Sequence, residues 1–434
     1  MGIFTLFISS LSYGWADHLL ITYGALKDMP EVSQEPTIPA ETLTHFVTSE
    51  SDHLIPLLAT LDDWSGQLIH YPKIPDELIF KGSADTLKPF TDRLRINPEM
   101  HYDALFVQYP PGQPHRLNNP IGKEAIVLPA ILSVSNTINL PLEKMDPGTL
   151  LSPFEIILSA VDEPDFGMDI NLFEDNGTEY GKRYKFGKAP DFVNNALAVG
   201  TQAPFHMSFF YEGKELYWVA SYLKCTYPEY RIHAYLALSQ QAFKDGHFYW
   251  GYRFLGWALH YCEDLSQPYH ARLSPNTRDT TLMFDKVFKK TELQNIKQAE
   301  TNKHFALENY QYGLLQDVIS KPKNNNRFLE ALGDRTHDAQ DQMPYTDLYP
   351  RNTIAKESFD NADLVDNLVC AAFKDYVVPS YHFSETGEVQ LYQVADQNDP
   401  NIQNLNKKLE DIFRSMGSHI RKIVRYATIV SPHQ

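Results

Sequence analysis

Cysteine is scarce in this 434-residue chain. Cys225, Cys262 and Cys370 stand far apart with no C-x-x-C pair, which excludes a disulfide scaffold and a cysteine-held zinc site. Any bound metal must therefore be held by His, Asp and Glu. Basic charge is short as well: 38 Lys and Arg face 55 Asp and Glu, a formal net charge of -17. That is a poor footprint for duplex nucleic acid or for charge-driven binding to an anionic membrane, although it suits a chain that collects cations. No apolar run reaches the roughly 18 to 20 residues of a transmembrane helix. No repeat of fixed period, no low-complexity tract and no G-x-S-x-G nucleophile elbow is present.

What is there begins with a 43% hydrophobic composition, ordinary for a chain that buries a real core. The opening "MGIFTLFISSLSYG" carries an apolar run from Ile3 to Leu11 and then small residues, Ser12 and Gly14, at the spacing of a signal-peptidase site. Residues 1–14 thus read as the remnant of a secretory signal, without the usual positive n-region, and the protein as secreted. Residues 15–434 read as a single, mainly α-helical domain with a Pro-rich insertion at about 30–150. From Ser152 onward the pattern turns helical. Ser152 and Glu155 start a helix as a capping box that ends at Pro164, and a glycine-rich loop follows. A helical hairpin comes next, "PEYRIHAYLALSQQAFK", a turn at Asp245-Gly246, and "HFYWGYRFLGWALHYCEDL", whose second arm is apolar nearly all round and should run through the core. Further helices are expected near 294–320, 326–334, 361–378 and 401–428.

The second arm ends in "HYCEDLSQPYH". His260 and Asp264, four apart, project from one helix face, and a buried carboxylate without a partner costs several kcal/mol. Pro268 is expected to end the helix and turn His270 back toward the same place. Each histidine alone reads as a core residue, and Asp264 alone as a partner of Arg272 or of the helix dipole. The triple spacing instead asks for a metal. His304 and Glu308 repeat the four-residue interval in "NKHFALENY", where the polar surroundings on their own read as a solvated pair.

His260-x3-Asp264-x5-His270, followed by His304-x3-Glu308, resembles the zinc-dependent phospholipase C family, whose superfamily includes single-strand-specific zinc nucleases. The wording around Tyr261, Pro268 and Tyr269 is similar to the bacterial phosphatidylcholine-preferring and alpha-toxin-type enzymes. The resemblance covers Leu151 to about Leu315 and the N-terminus. It implies a helical bundle with long loop elaborations and three Zn2+ ions: one on Asp165, His206, His260 and Asp264, one on His270, His304 and Glu308, and one on Trp15 and His18 with Asp264 bridging. The family uses the free α-amino group of an N-terminal tryptophan, so cleavage after Gly14 would expose Trp15. His206 lies in "APFHMSFFYE". For the remaining aspartate, spacing favours Asp191 and context favours Asp165, which is taken here as ligand and general base. The activity implied is hydrolysis of a glycerophospholipid, phosphatidylcholine first, to diacylglycerol and a phosphorylated head group at a membrane surface. A nuclease, and a metal-stabilised binding protein without catalysis, are the alternatives; the preferred reading has no nucleic-acid partner.

Overall fold

The computed structural model describes residues 15, 17–68, 70–82, 86–109, 112, 114–132, 141–193, 198–277, 290–320, 326–340, 344–383 and 390–429. The signal reading of residues 1–14 falls outside them. The main helices are α1 (His18–Leu26), α2 (Leu43–Ser49), α3 (Ser51–Leu68), α4 (Pro153–Ala160), α5 (Pro228–Lys244), α6 (Phe248–Leu265), α7 (Pro268–Ala271), α8 (Lys290–Ser320), α9 (Arg327–Gly333), α10 (Lys356–Ala372) and α11 (Pro400–Thr428). With 62% of it helical and 3% in strands, the chain is mainly α. No described helix is long and apolar enough to cross a membrane.

The apolar circumference of α6 has the expected consequence: every residue from Tyr249 to Leu265 is buried. Helix α5 packs along it, joined by a turn in which Gly246 takes φ +85, a conformation L side chains rarely adopt. Helix α4 crosses α6 at Gly256. A Cβ there would stand 2.7 Å from Ala160 Cβ and 3.0 Å from the Ile157 carbonyl, so only glycine allows this approach. The start of α4 is the expected capping box, Ser152 Oγ accepting from Glu155 N at 3.2 Å and Glu155 Oε2 from Ser152 N at 2.9 Å. On the other side α1, α9 and α11 pack together, and α10 lies against α7 and α11.

Three boundaries differ from expectation for local reasons. Helix α4 stops at Ala160 and the chain continues through a 3-10 turn, Glu163–Phe166, because Pro164 cannot supply a helical N–H. Helix α6 ends at Leu265, and Pro268 starts α7 instead of stopping α6, with Gln267 Oε1 capping Tyr269 N at 2.7 Å. Helix α10 starts earlier than expected, because a π-helical turn at Pro350–Ala355 feeds straight into Lys356.

The Pro-rich stretch is fastened at its ends by a two-stranded clasp, β1 (Ile38–Pro39) antiparallel to β5 (Leu150–Leu151) with Ile38 opposite Leu151. Between them β4 (Leu142–Lys144) pairs with β2 (Phe106–Gln108) and β3 (Pro120–Ile121), both antiparallel. Its apolar residues, among them Leu43, Phe46, Leu54 and Phe106, join the same buried cluster as Trp257 of α6 and Phe413 of α11.

Candidate metal centre

Helix α6 brings His260 and Asp264 inward, and the close crossing of α4 at Gly256 sets what faces them. The carbonyl of Val161, just past the end of α4, accepts a hydrogen bond from His260 Nδ1 at 2.8 Å. That bond fixes the tautomer and leaves the lone pair of Nε2 pointing into the cluster. There Nε2 lies 3.4 Å from Asp264 Oδ2, 3.7 Å from Asp165 Oδ1 and 3.3 Å from His206 Nδ1. His206 Nδ1 also stands 2.6 Å from Asp264 Oδ2. The same device orients His270, whose Nδ1 donates to the His206 carbonyl at 2.9 Å and whose Nε2 turns to Glu308 Oε1 at 3.7 Å. His304 Nε2 is 2.5 Å from that Glu308 oxygen.

Helix α1 supplies His18, with its ring 4.0 Å from that of His260. Its Nδ1 pairs with Glu263 Oε2 at 2.7 Å, and Nε2 faces Asp264 Oδ1 at 3.8 Å and Asp165 Oδ2 at 3.9 Å. Glu263 is held in turn by Thr22 Oγ1 at 2.5 Å. Helix α1 is itself seated by Asp162, whose Oδ1 accepts from Leu19 N at 3.1 Å.

Three groups of donor atoms result, His18 with Asp165 and His260, His206 with His260 and Asp264, and His270 with His304 and Glu308, all buried and able to hold metal ions. Several donors have no hydrogen-bond partner among the described residues: His18 Nε2, Asp165 Oδ1, His206 Nε2, Asp264 Oδ1 and His304 Nε2. No Lys or Arg pairs with Asp165, Asp264 or Glu308 among the described residues. Buried lone pairs aimed at one another are costly unless a cation lies between them.

The titration of the group tells the same story. Burial raises the Asp165 carboxyl to about 7 against the pull of His206, with Asp264 and Asp169 adding to the rise. Burial alone would keep His206 neutral, yet Asp264, Asp169 and Asp165 around it raise the imidazole to about 10. Burial pushes His270 and His304 down to about 3, His270 also through the His304 ring, and lifts Glu308 well above the carboxylate range. His260 is lowered by burial and by His18 and His206. Without metal, the cluster balances its charge by holding protons, and a metal ion would displace them.

The sequence-predicted residues His18, Asp165, His206, His260, Asp264, His270, His304 and Glu308 thus lie together in the structure. The grouping differs in one respect: His18 faces Asp165 and His260 as closely as it faces Asp264. His304 and Glu308 are buried, not a solvated pair, because α8 packs its polar-looking face against the centre. Arg272 pairs with Asp363 at 2.6 Å and not with Asp264. The Trp15 indole is a buried anchor, Nε1 donating to Ser266 Oγ at 2.9 Å and the ring edge-on to Phe413 at 5.5 Å. Asp191 lies in the loop beside Tyr222, outside all three groups.

Sequence reasoning missed the residues that orient the donors. Glu263 holds His18. Asp169 Oδ2 accepts from Tyr261 Oη at 2.5 Å and faces His206 Nε2 at 3.6 Å, while Arg231 donates to Oδ1 through Nη2 at 2.6 Å and Nε at 3.0 Å. Gln267 Nε2 donates to Glu308 Oε1 at 3.2 Å. The signal was present: a second carboxylate on a largely apolar helix, and four acids crowded into "DEPDFGMD", needed partners as much as Asp264 did. Compared with known proteins, the chain matches no family model, no curated protein and no solved structure.

Proposed function

We propose that this protein is a zinc-dependent phospholipase C, secreted and acting on glycerophospholipids at a membrane surface. What supports the reading is the convergence of His270, His304 and Glu308 with His18, His206, His260, Asp165 and Asp264 in one buried centre. Their order and intervals resemble the phospholipase C family. The donor sets are small, and three protein ligands per ion is the pattern of catalytic zinc, which keeps a position for water or substrate. This favours catalysis over a purely structural role for the metal.

Bound zinc would lower the pKa of water, hold phosphate oxygens and neutralise charge growing on the leaving alkoxide. The chain's own part is proton transfer and orientation. Asp165 Oδ1 has no hydrogen-bond partner among the described residues and faces His260 Nε2 at 3.7 Å, which places it to accept the proton of the attacking water as the water oxygen bonds to phosphorus. The P–O bond to glycerol then breaks, and the departing alkoxide takes up the proton that Asp165 accepted, giving diacylglycerol and the phosphorylated head group. The Val161 and His206 carbonyls, Glu263 and Gln267 hold the ring and carboxylate donors in place throughout. Cleavage after Gly14 would add the Trp15 α-amino group for a third ion; N-terminal sequencing of the secreted protein tests that step.

The decisive experiment measures zinc content together with phosphocholine release from phosphatidylcholine vesicles and nucleotide release from single-stranded DNA. The proposal expects about two to three ions per chain from the ligand sets, lipid hydrolysis above DNA hydrolysis, and loss of activity in His260→Ala. A metal-free active protein, or DNA as the only substrate, would overturn it.

A further inference from the structure

A second gathering of histidines and carboxylates lies at the other end of α6, about 20 Å from His260 at 1.5 Å per helical residue. It is built where the insertion meets the α5–α6 turn. Glu41 lies two residues before the start of α2, His45 is in its first turn, and His247 is the residue before α6. His45 Nδ1 and His247 Nδ1 both aim at the same oxygen, Glu41 Oε1, at 2.5 and 2.8 Å. The other nitrogen of His247, Nε2, faces Glu50 Oε1 at 3.0 Å. Beside them His53 Nδ1 contacts Glu50 Oε2 at 2.8 Å and Asp245 Oδ2 at 3.0 Å.

Two features set this group apart from an ordinary surface charge cluster. Glu41, Glu50 and Asp245 keep side-chain exposures of only 15%, 13% and 11%, and imidazoles are their sole ion-pair partners among the described residues. Moreover, a neutral imidazole has one N–H, while both nitrogens of His247 face carboxylates. If Nε2–H donates to Glu50, the Nδ1 lone pair points at the lone pairs of Glu41, and a cation must sit between them. His45 brings a third donor to that spot, and all three donor atoms lie within 4.8 Å of one another. The ligands are also held in advance. Trp250 Nε1 donates to the Glu41 carbonyl at 3.0 Å, and the Phe46 ring packs edge-on against His247 at 5.2 Å.

We infer that Glu41, His45 and His247 form a peripheral site for a divalent transition-metal ion of the zinc class, with Glu50 orienting His247 from outside. Two imidazoles and one carboxylate suit zinc better than calcium or magnesium, which prefer all-oxygen cages. The Glu50 contact reproduces the carboxylate–histidine–metal arrangement that fixes tautomer and ring orientation. His45 is 70% exposed, so solvent reaches the ion and can complete its coordination. The site clips α2 of the insertion to the hairpin turn, independently of the buried centre and of any activity assigned to it.

The test loads the full-length chain with zinc, removes excess by dialysis and counts bound ions in wild type, His45→Ala and Glu50→Gln. His45→Ala should bind one ion fewer than wild type, and zinc should raise its melting temperature by less. Glu50→Gln should weaken that one ion about 10- to 100-fold. The exposed His45 side chain can be removed without disturbing the core, and equal melting of the metal-free proteins checks this. Identical zinc counts and identical zinc-induced stabilisation in wild type and His45→Ala would overturn the inference and leave a proton as the cation between Glu41 and His247.

Discussion

Replacing Glu263 with Gln should move two quantities in opposite directions. In the metal-free protein, burial raises the Glu263 carboxyl from 4.5 to about 7, against the pull of His18 and Thr22. A raised acid contributes stability below its unfolded value that is lost as pH rises through the folded one. Wild type therefore loses up to about 3 kcal/mol between roughly pH 4.5 and 7, at 1.36 kcal/mol per unit. Glu263→Gln does not ionise and escapes that loss, so at pH 8 the metal-free variant should melt a few degrees higher. Zinc affinity should fall at the same time. Glu263 Oε2 accepts from His18 Nδ1 at 2.7 Å, which keeps the Nε2 lone pair directed at Asp165 and Asp264. Loss of such an outer carboxylate typically costs about 10- to 100-fold in metal affinity. Thermal melts in chelator and zinc competition against a chromophoric chelator read the two effects separately. Unchanged zinc affinity would refute His18 as a ligand, and a less stable metal-free variant would refute the account of a strained buried acid.

Asp264→Asn should reduce zinc content and lower phospholipid turnover roughly 100-fold or more, since this carboxylate faces His18, His206 and His260 together; full turnover would place the chemistry elsewhere. Gly256→Ala should destabilise the fold by about 1–3 kcal/mol in a urea melt, because the added Cβ meets Ala160 and the Ile157 carbonyl. It should also weaken zinc binding by displacing the Val161 carbonyl. Zinc binding should release protons at neutral pH, since Asp165 holds one up to about 7 and His206 up to about 10. Zinc affinity should accordingly rise with pH through 7, and calorimetry in two buffers of different ionisation enthalpy would expose an absence of proton release.

The inward-facing donors were legible because their spacing is a helical property. His260 and Asp264, or His304 and Glu308, share a helix face at four residues apart in any fold that makes the helix. The helical hairpin was legible for the same reason, through the uninterrupted apolar character of α6. The assembly of the centre depends on contacts across long sequence separations, which leave weaker marks. That Asp165 and not Asp191 reaches His260 follows from α4 crossing α6 at Gly256, and no spacing rule encodes that crossing. The polar composition of α8 hid the burial of His304, because a helix can bury a polar face where the centre opposite supplies partners. The insertion was legible only as an interruption, and its role in carrying Glu41 and His45 to the α5–α6 turn emerges from packing alone.

Charge balance bears on how many ions the buried centre can hold. Six buried carboxyl groups surround it: Asp162, Asp165, Asp169, Glu263, Asp264 and Glu308. Arg231 neutralises Asp169, and Glu163 nearby is matched by Arg253 at 2.7 Å. Fully ionised, the five remaining carboxylates carry five negative charges. One divalent ion would leave three of them uncompensated in a region that excludes water, and the chain would retain protons on Asp165 and Glu308 to avoid that cost. Two ions leave one negative charge. Three leave one positive charge, which an anionic phosphate oxygen or a hydroxide would neutralise. The charge balance thus supports the two to three divalent ions of the proposed function, and under that proposal a single-ion protein would betray itself by the carboxyl protons it keeps at neutral pH.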